Sequence, residues 1–207
     1  AVDLGSNRAA AVERLRYRLD RAYRAQPMDF AADRAFADVV ARFSIPRELP
    51  EALLEGLAWD AQGRRYDTLP ELYCYAARVA GAVGAMMSLV MGQRTPEIVG
   101  RACDLGIAMQ LTNIARDVGE DARAGRPYLP GSWLRDVGID PDAWLARPVF
   151  TAEIAAIVQR PLDAADVLYG RATLGIAHLP LSCRPGIYGA EALYAEIGSE
   201  LERCGLD

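Results

Sequence analysis

Hydrophobic residues recur with helical spacing along the whole chain, and no stretch alternates with the period of two that marks a half-buried strand. Asn7 to Tyr23 interleaves Arg with Ala, Leu and Val in a helical rhythm. Asp33 to Phe43 repeats it until Ser44-Ile45-Pro46 ends the run, and Glu48 to Asp60 forms a further helix. Gly63 to Pro70 reads as a loop. Glu71 to Met91 predicts a long helix, and Thr95 to Glu120 another, with Pro96 in its first turn. Ala124 to Pro130 breaks the pattern with Gly125, Pro127 and Pro130. Shorter helices follow around Gly131–Val137, Asp140–Ala146, Ala152–Thr173 and Arg184–Arg203. There is no internal repeat and no linker, so the pattern predicts a single all-α domain over residues 1–207.

The helix from Glu71 to Met91 carries a row of small residues. Tyr73, Ala77, Ala80, Gly81, Gly84 and Ser88 recur on one side of it. Interior glycines destabilise a helix by roughly 1 kcal/mol each relative to Ala, so something offsets them. One explanation is close packing against a second helix. The other is a wall stripped of side chains, against which a long apolar ligand lies. Ala80 and Gly84 then touch the ligand, and Tyr73 sits at the rim with its phenol available.

The next helix carries a row of oxygen ligands. Projected at 100° per residue, Gln110, Asn113, Asp117 and Asp121 fall within an arc of about 80°. Leu111, Ile114, Ala115 and Val118 lie on the adjoining, apolar face. An Asp-x-x-x-Asp pair is common on solvated helices. Here, however, two amides stand in phase with it, and no helical cation stands between the two carboxylates to relieve their repulsion. Hard divalent cations take such oxygen ligands. Arg116 and Arg123 lie close by and present guanidinium forks suited to phosphate. The group as a whole suggests metal-assisted binding of a phosphorylated substrate.

Composition narrows the function classes. At 52% hydrophobic residues the chain supports a sizeable core and is not disordered. All 23 basic residues are Arg, the net charge is −5 and no basic run appears, which argues against a nucleic-acid partner. Cys74, Cys103, Cys183 and Cys204 have no C-x-x-C spacing and read as reduced thiols of a cytoplasmic protein without a zinc site. His178 is the only histidine and reads as a packed or capping residue. No signal peptide is expected from the first residues. The longest near-apolar run, Val79 to Gly92, falls short of the roughly 20 residues that span a bilayer.

The stretches Tyr73–Met87, Met91-Gly92 and Asp104–Pro130 closely resemble the squalene/phytoene synthase family, and weaker similarity reaches Leu193–Ile197. Met86-Met87 and the form Asp117-Val-Gly-Glu-Asp121 look most like the bacterial phytoene-forming members. The resemblance implies an isoprenoid-synthase-type helical bundle around a central cavity. It implies Mg²⁺-dependent, head-to-head condensation of two geranylgeranyl diphosphates to phytoene through prephytoene diphosphate, in carotenoid biosynthesis. Mn²⁺ is the alternative ion, and no NADPH is required. Asp117 and Asp121 match the family's second aspartate motif, Asn113 a further metal ligand, and Asp3 the last aspartate of the first motif. Gln110 and Arg116 match diphosphate contacts, and Tyr128 and Tyr194 match tyrosines near the same site. Tyr73 matches the tyrosine that manages proton transfer in the first half-reaction.

The partner of Asp3 four residues upstream does not occur in the chain, and the expectation is of a domain truncated at both ends. On that reading the segment Ala1–Asp207 by itself turns over little substrate. Prenyl diphosphates are the expected partners, with peripheral association at the inner face of a membrane. The rival readings are a presqualene-diphosphate or squalene-type synthase acting on farnesyl diphosphate, and a non-catalytic helical relative.

Overall fold

Thr68 starts the helix around which the cavity is built. Its hydroxyl accepts from the backbone N–H of Glu71, and the Glu71 carboxylate accepts from the N–H of Thr68, a reciprocal cap that satisfies two orphan donors. The helix therefore begins at Leu69, with Pro70 in its first turn, rather than at Glu71 as the sequence pattern predicts. The computed structural model describes the backbone of residues 4–205 and the side chains of residues 8–205. Asp3, the expected ligand from the first aspartate motif, lies outside the described residues.

Among the described residues the secondary structure is entirely helical, as the periodicity predicts. The elements are α1 (Leu4–Tyr23), α2 (Ala31–Phe43), α3 (Glu48–Ala61), α4 (Leu69–Ala76) and α5 (Ala82–Val90). They continue with α6 (Pro96–Arg116), α7 (Val118–Arg123), α8 (Gly131–Asp136), α9 (Pro141–Ala146), α10 (Ala152–Ile176) and α11 (Arg184–Arg203). A π-helical segment, Ala77–Gly81, joins α4 to α5, and the N–H of Ala82 reaches back to the carbonyl of Ala77. α6 is the central element and packs against α10, α5, the π segment, α4 and α11. Leu111 and Ile114 of α6 meet Ile154, Ile157, Val158 and Leu162 of α10 in the main core. A smaller core, built on Val40, Ile45 and Leu89, ties α2 and α3 to α5.

Two predicted helices differ from expectation, and both differences fall at the site. The expected uniform helix Glu71–Met91 contains the π segment. One extra residue in that turn changes the register between α4 and α5. A projection at 100° per residue therefore misplaces Tyr73 relative to Ala80 and Gly84. The expected helix Thr95–Glu120 is broken at Asp117, whose φ of −97° and ψ of 9° leave the α region. Its N–H still bonds the carbonyl of Asn113, and its own carbonyl accepts from Asp121, so the row of polar residues survives the break. The rod from Leu69 to Val90 is 22 residues long and apolar enough by composition to cross a bilayer. In this fold it is packed against α3 and α6.

The small-residue row serves close packing first. A Cβ on Gly84 would lie 2.1 Å from the carbonyl oxygen of Ala102 in α6, and one on Gly106 would lie 2.3 Å from that of Ala80. Backbone therefore touches backbone where the rod crosses α6, and only glycine fits there. Gly84→Ala should lower stability by about 1–3 kcal/mol through overpacking. By contrast, a Cβ on Gly170 in α10 meets nothing within 4 Å, and Gly170→Ala should raise stability by about 0.5–1 kcal/mol. Urea unfolding of both variants checks the pair. An unaffected Gly84→Ala protein would show that the two helices separate freely.

Candidate active site

The crossing of α5 and α6 leaves a cavity of about 330 Å³, closed on the other sides by α10 and α11. Val79, Ala80, Val83, Gly84 and Met87 form one wall, and Leu105, Gly106 and Met109 the next. Ile176, Leu179, Ile187 and Tyr194 complete it. The lining is almost wholly apolar. Ala80, Gly84 and Tyr194, expected at the substrate site, all line this cavity, and Gly84 also sits at the backbone crossing.

A second, polar pocket of about 220 Å³ adjoins the first. Gln110, Asn113, Arg116, Asp117, Asp121, Arg126 and Tyr128 line it. Gln110 and Asn113 line both pockets, so the polar and the apolar one meet at these two amides. The fold therefore brings together Gln110, Asn113, Arg116, Asp117, Asp121 and Tyr128, as the sequence predicts, and places Tyr194 in the adjoining cavity.

Tyr73 is not among the residues lining either pocket. It packs, half-buried, against the main core, where burial raises the pKa of its phenol, Arg171 lowers it and Asp104 raises it. The π segment accounts for this displacement. Arg123, the other expected phosphate ligand, lines a separate groove with Gly119, Trp144 and Val149. Arg126 takes its place. Gly125, at φ 73°, ends α7 and folds the chain back so that the N–H of Arg126 bonds the carbonyl of Asp121. His178 is exposed rather than packed, and its backbone carbonyl accepts from Gln93 Nε2 at 2.7 Å. All four cysteines are free thiols.

The carboxylates are not left without cations, contrary to the expectation from helical spacing. Arg116 forks Asp117 with Nε and Nη2 at 2.6 and 2.7 Å, and Arg126 Nη2 lies 3.2 Å from Asp121. Neighbour-to-neighbour pairing and the turn at Gly125 both lie outside the i,i+3 and i,i+4 rules used for a regular helix. Burial raises the pKa of Asp121, Arg126 lowers it, and Asp117 and Glu120 raise it further. The side-chain oxygen of Asn113 is buried and finds no hydrogen-bond partner. A buried acceptor without a donor is unfavourable, and a cation in the polar pocket would satisfy it. Mg²⁺ binds through one or two carboxylates, substrate phosphates and retained waters. Asn113, Asp117 and Asp121 fit that requirement. Among the described residues no group of three or more Asp, Glu, His or Cys side chains is placed to hold a metal ion by itself, so Asn113 and a bound phosphate would have to supply the remaining ligands.

Comparison with known proteins agrees with this geometry. The squalene/phytoene synthase family model matches residues 2–207, and the chain belongs to that family. It is 57% identical over 197 residues to a phytoene synthase of Cereibacter sphaeroides, covering 95% of this chain and 56% of that protein. It is 55% identical over 201 residues to a phytoene synthase of Rhodobacter capsulatus, covering 97% of this chain and 59% of that protein. The chain thus spans little more than half the length of these curated relatives. The crystal structure of a dehydrosqualene synthase in complex with ligand superposes with a TM-score of 0.86 at 27% identity, over 95% of this chain and 69% of that one. A squalene synthase from Alicyclobacillus acidocaldarius shares the fold with a TM-score of 0.86 at 23% identity, over 96% of this chain and 74% of that one.

The raised pKa of Asp121 has a consequence for stability. Its ionised form is disfavoured in the folded protein. The carboxyl therefore favours folding fully below its unfolded pKa of about 3.9, and that contribution is lost as pH rises through the raised folded value. Asp121→Asn should accordingly raise the melting temperature of the metal-free protein at pH 7, and the gain should shrink as pH falls toward about 4. Thermal melts of both proteins across that window check the sign. A variant less stable than wild type at pH 7 would show that the pair with Arg126 outweighs the burial of the charge.

Proposed function

We propose that the full-length protein condenses two geranylgeranyl diphosphates head to head, through prephytoene diphosphate, to phytoene in carotenoid biosynthesis. The observation that carries this reading is the continuity of the two pockets. A metal-binding, arginine-bearing pocket meets an apolar cavity at Gln110 and Asn113. A prenyl diphosphate is built the same way, with an anionic head and a long apolar tail. From Asn113 to Ile98, α6 offers a wall about 22 Å long at 1.5 Å per residue, room for a long tail. The names of the curated relatives support the same product.

Asn113, Asp117 and Asp121 hold Mg²⁺ in this reading, with Mn²⁺ as an alternative, and Asp3 belongs to the opposing motif. An ion held by these residues would supply positive charge to offset that of a departing diphosphate. Arg116 and Arg126, each paired with an aspartate here, are the guanidinium groups in reach of the diphosphate once those aspartates take the metal. The apolar lining keeps water away from the allylic cation left when diphosphate departs, and water would quench that cation. Tyr194 lines the cavity on the side of α11. The reaction ends without a nicotinamide reductant. Val83 and Met87 line the cavity and are 38% and 48% exposed in this part of the protein.

Incubation of the full-length protein with geranylgeranyl or farnesyl diphosphate and Mg²⁺, followed by product chromatography, tests the proposal. Phytoene from the C20 substrate is expected. A product formed only from farnesyl diphosphate would move the protein to the squalene-type reading, and no product from either would favour a non-catalytic relative. Asp117→Ala should remove most Mg²⁺-dependent turnover while the helical circular dichroism is unchanged. An unaltered rate would sink the metal assignment.

A further inference from the structure

Asp60 ends α3 and belongs to neither of the two pockets, yet it is tied to one of them. Its Oδ2 accepts from the Tyr75 hydroxyl at 3.0 Å, and its Oδ1 accepts from the Tyr128 hydroxyl at 2.9 Å. Tyr75 stands on α4, and Tyr128 on the loop that follows α7. The two rings stack at 5.2 Å, and Tyr66 packs against both, at 5.2 Å from Tyr75 and 6.4 Å from Tyr128. Of these three tyrosines only Tyr128 reaches the polar pocket, beside Asp121 and Arg126.

A carboxylate in this place is unfavourable on its own terms. Burial among the rings raises its pKa, while the hydrogen bonds from Tyr128 and Tyr75 and the charges of Arg126 and Arg8 lower it. An apolar residue would fill the space without that desolvation. What the carboxylate adds is a strong acceptor for both phenols. With its proton committed to Asp60, Tyr128 does not hydrogen-bond Asp121; burial, against a lowering contact with Tyr75, and then the Asp60 and Asp121 charges push its own pKa up to about 12. The same bond anchors the loop bearing Arg126, whose Nε is buried without a partner.

We propose that Asp60 is a positioning residue for the anion-binding end of the site, acting through Tyr128. It fixes the tyrosine ring and the Arg126 loop, and it keeps the phenol proton away from Asp121. This inference rests on the reading of that pocket as a Mg²⁺–diphosphate site.

The test is calorimetric binding of inorganic pyrophosphate with Mg²⁺ to the full-length protein. Asp60→Asn keeps the shape but offers one acceptor where two phenols need one each. Affinity should fall roughly 10- to 100-fold, as for other groups that orient metal-site residues from behind. Tyr128→Phe should lower it similarly, and the double variant should be no weaker than the weaker single one, because both remove one link. Tyr75→Phe removes the other phenol at Asp60 and should leave the affinity unchanged, even if the protein melts earlier. Wild-type affinity in Asp60→Asn, additive losses in the double variant, or an equal loss in Tyr75→Phe would overturn the proposal. If Asp60→Asn does not fold, Tyr128→Phe decides, and unchanged affinity overturns it. Failure of the wild-type protein itself to bind Mg²⁺–pyrophosphate is a different result, which sinks the parent reading of the pocket as well.

Discussion

The contact on which the site depends is the crossing of two helical backbones with nothing between them. Gly84 meets the carbonyl of Ala102, and Gly106 meets that of Ala80. Any side chain at either glycine would push the rod away from α6. The polar row on α6 would then lose the wall that turns its flank into a cavity. Interior glycine is unfavourable in an isolated helix, and here tertiary packing offsets it. The π segment is part of the same arrangement, since Ala80 lies within it. A single wider turn lets the rod present small residues to α6 while α4 keeps Leu72 and Tyr75 in the core.

Charge is arranged around that crossing in a self-neutralising way. Each aspartate of the motif has an arginine at hand, while the Asn113 oxygen beside them is, with the hydroxyls of Tyr66 and Ser88, among the buried oxygens of the described residues that find no partner. The pairs are partly solvated, so they contribute little to stability. They do keep two like charges together in a pocket where burial and mutual repulsion disfavour them. On the proposed reading, a cation entering the pocket would exchange places with Arg116 and Arg126, which would then be in reach of its anion.

The aromatic group behind the pocket works by burial and directed hydrogen bonding. Tyr66, Tyr75 and Tyr128 form a stacked wall, flanked by Trp59, over which Arg64 and Arg78 lie at 3.8 and 4.3 Å. Such a wall is stiff because its rings have few rotatable bonds and the hydroxyls of Tyr75 and Tyr128 share Asp60 as their acceptor. Rigidity there holds the loop after α7, the part of the pocket with the least regular structure.

Helical periodicity by itself determined the all-α class and most element positions, because a 3.6-residue repeat of apolar positions is a local property of the chain. The row Gln110, Asn113, Asp117 and Asp121 was legible for the same reason, and its resemblance to a known family pointed to the chemistry. Three things were decided only by the tertiary structure. Tyr73 lies away from the pockets because the π turn changes the register of the helix, and no residue type in Ala77–Gly81 announces that turn. Arg126 replaces Arg123 because the left-handed backbone at Gly125 reverses the chain, which a helical projection cannot follow. Asp60 is 68 residues from Tyr128, and contacts at that separation follow from how helices stack, which periodicity along one helix does not encode. The glycines show both sides of the division. Their spacing was visible in the chain, but whether they faced a ligand or a neighbouring backbone depended on the distance between two helices.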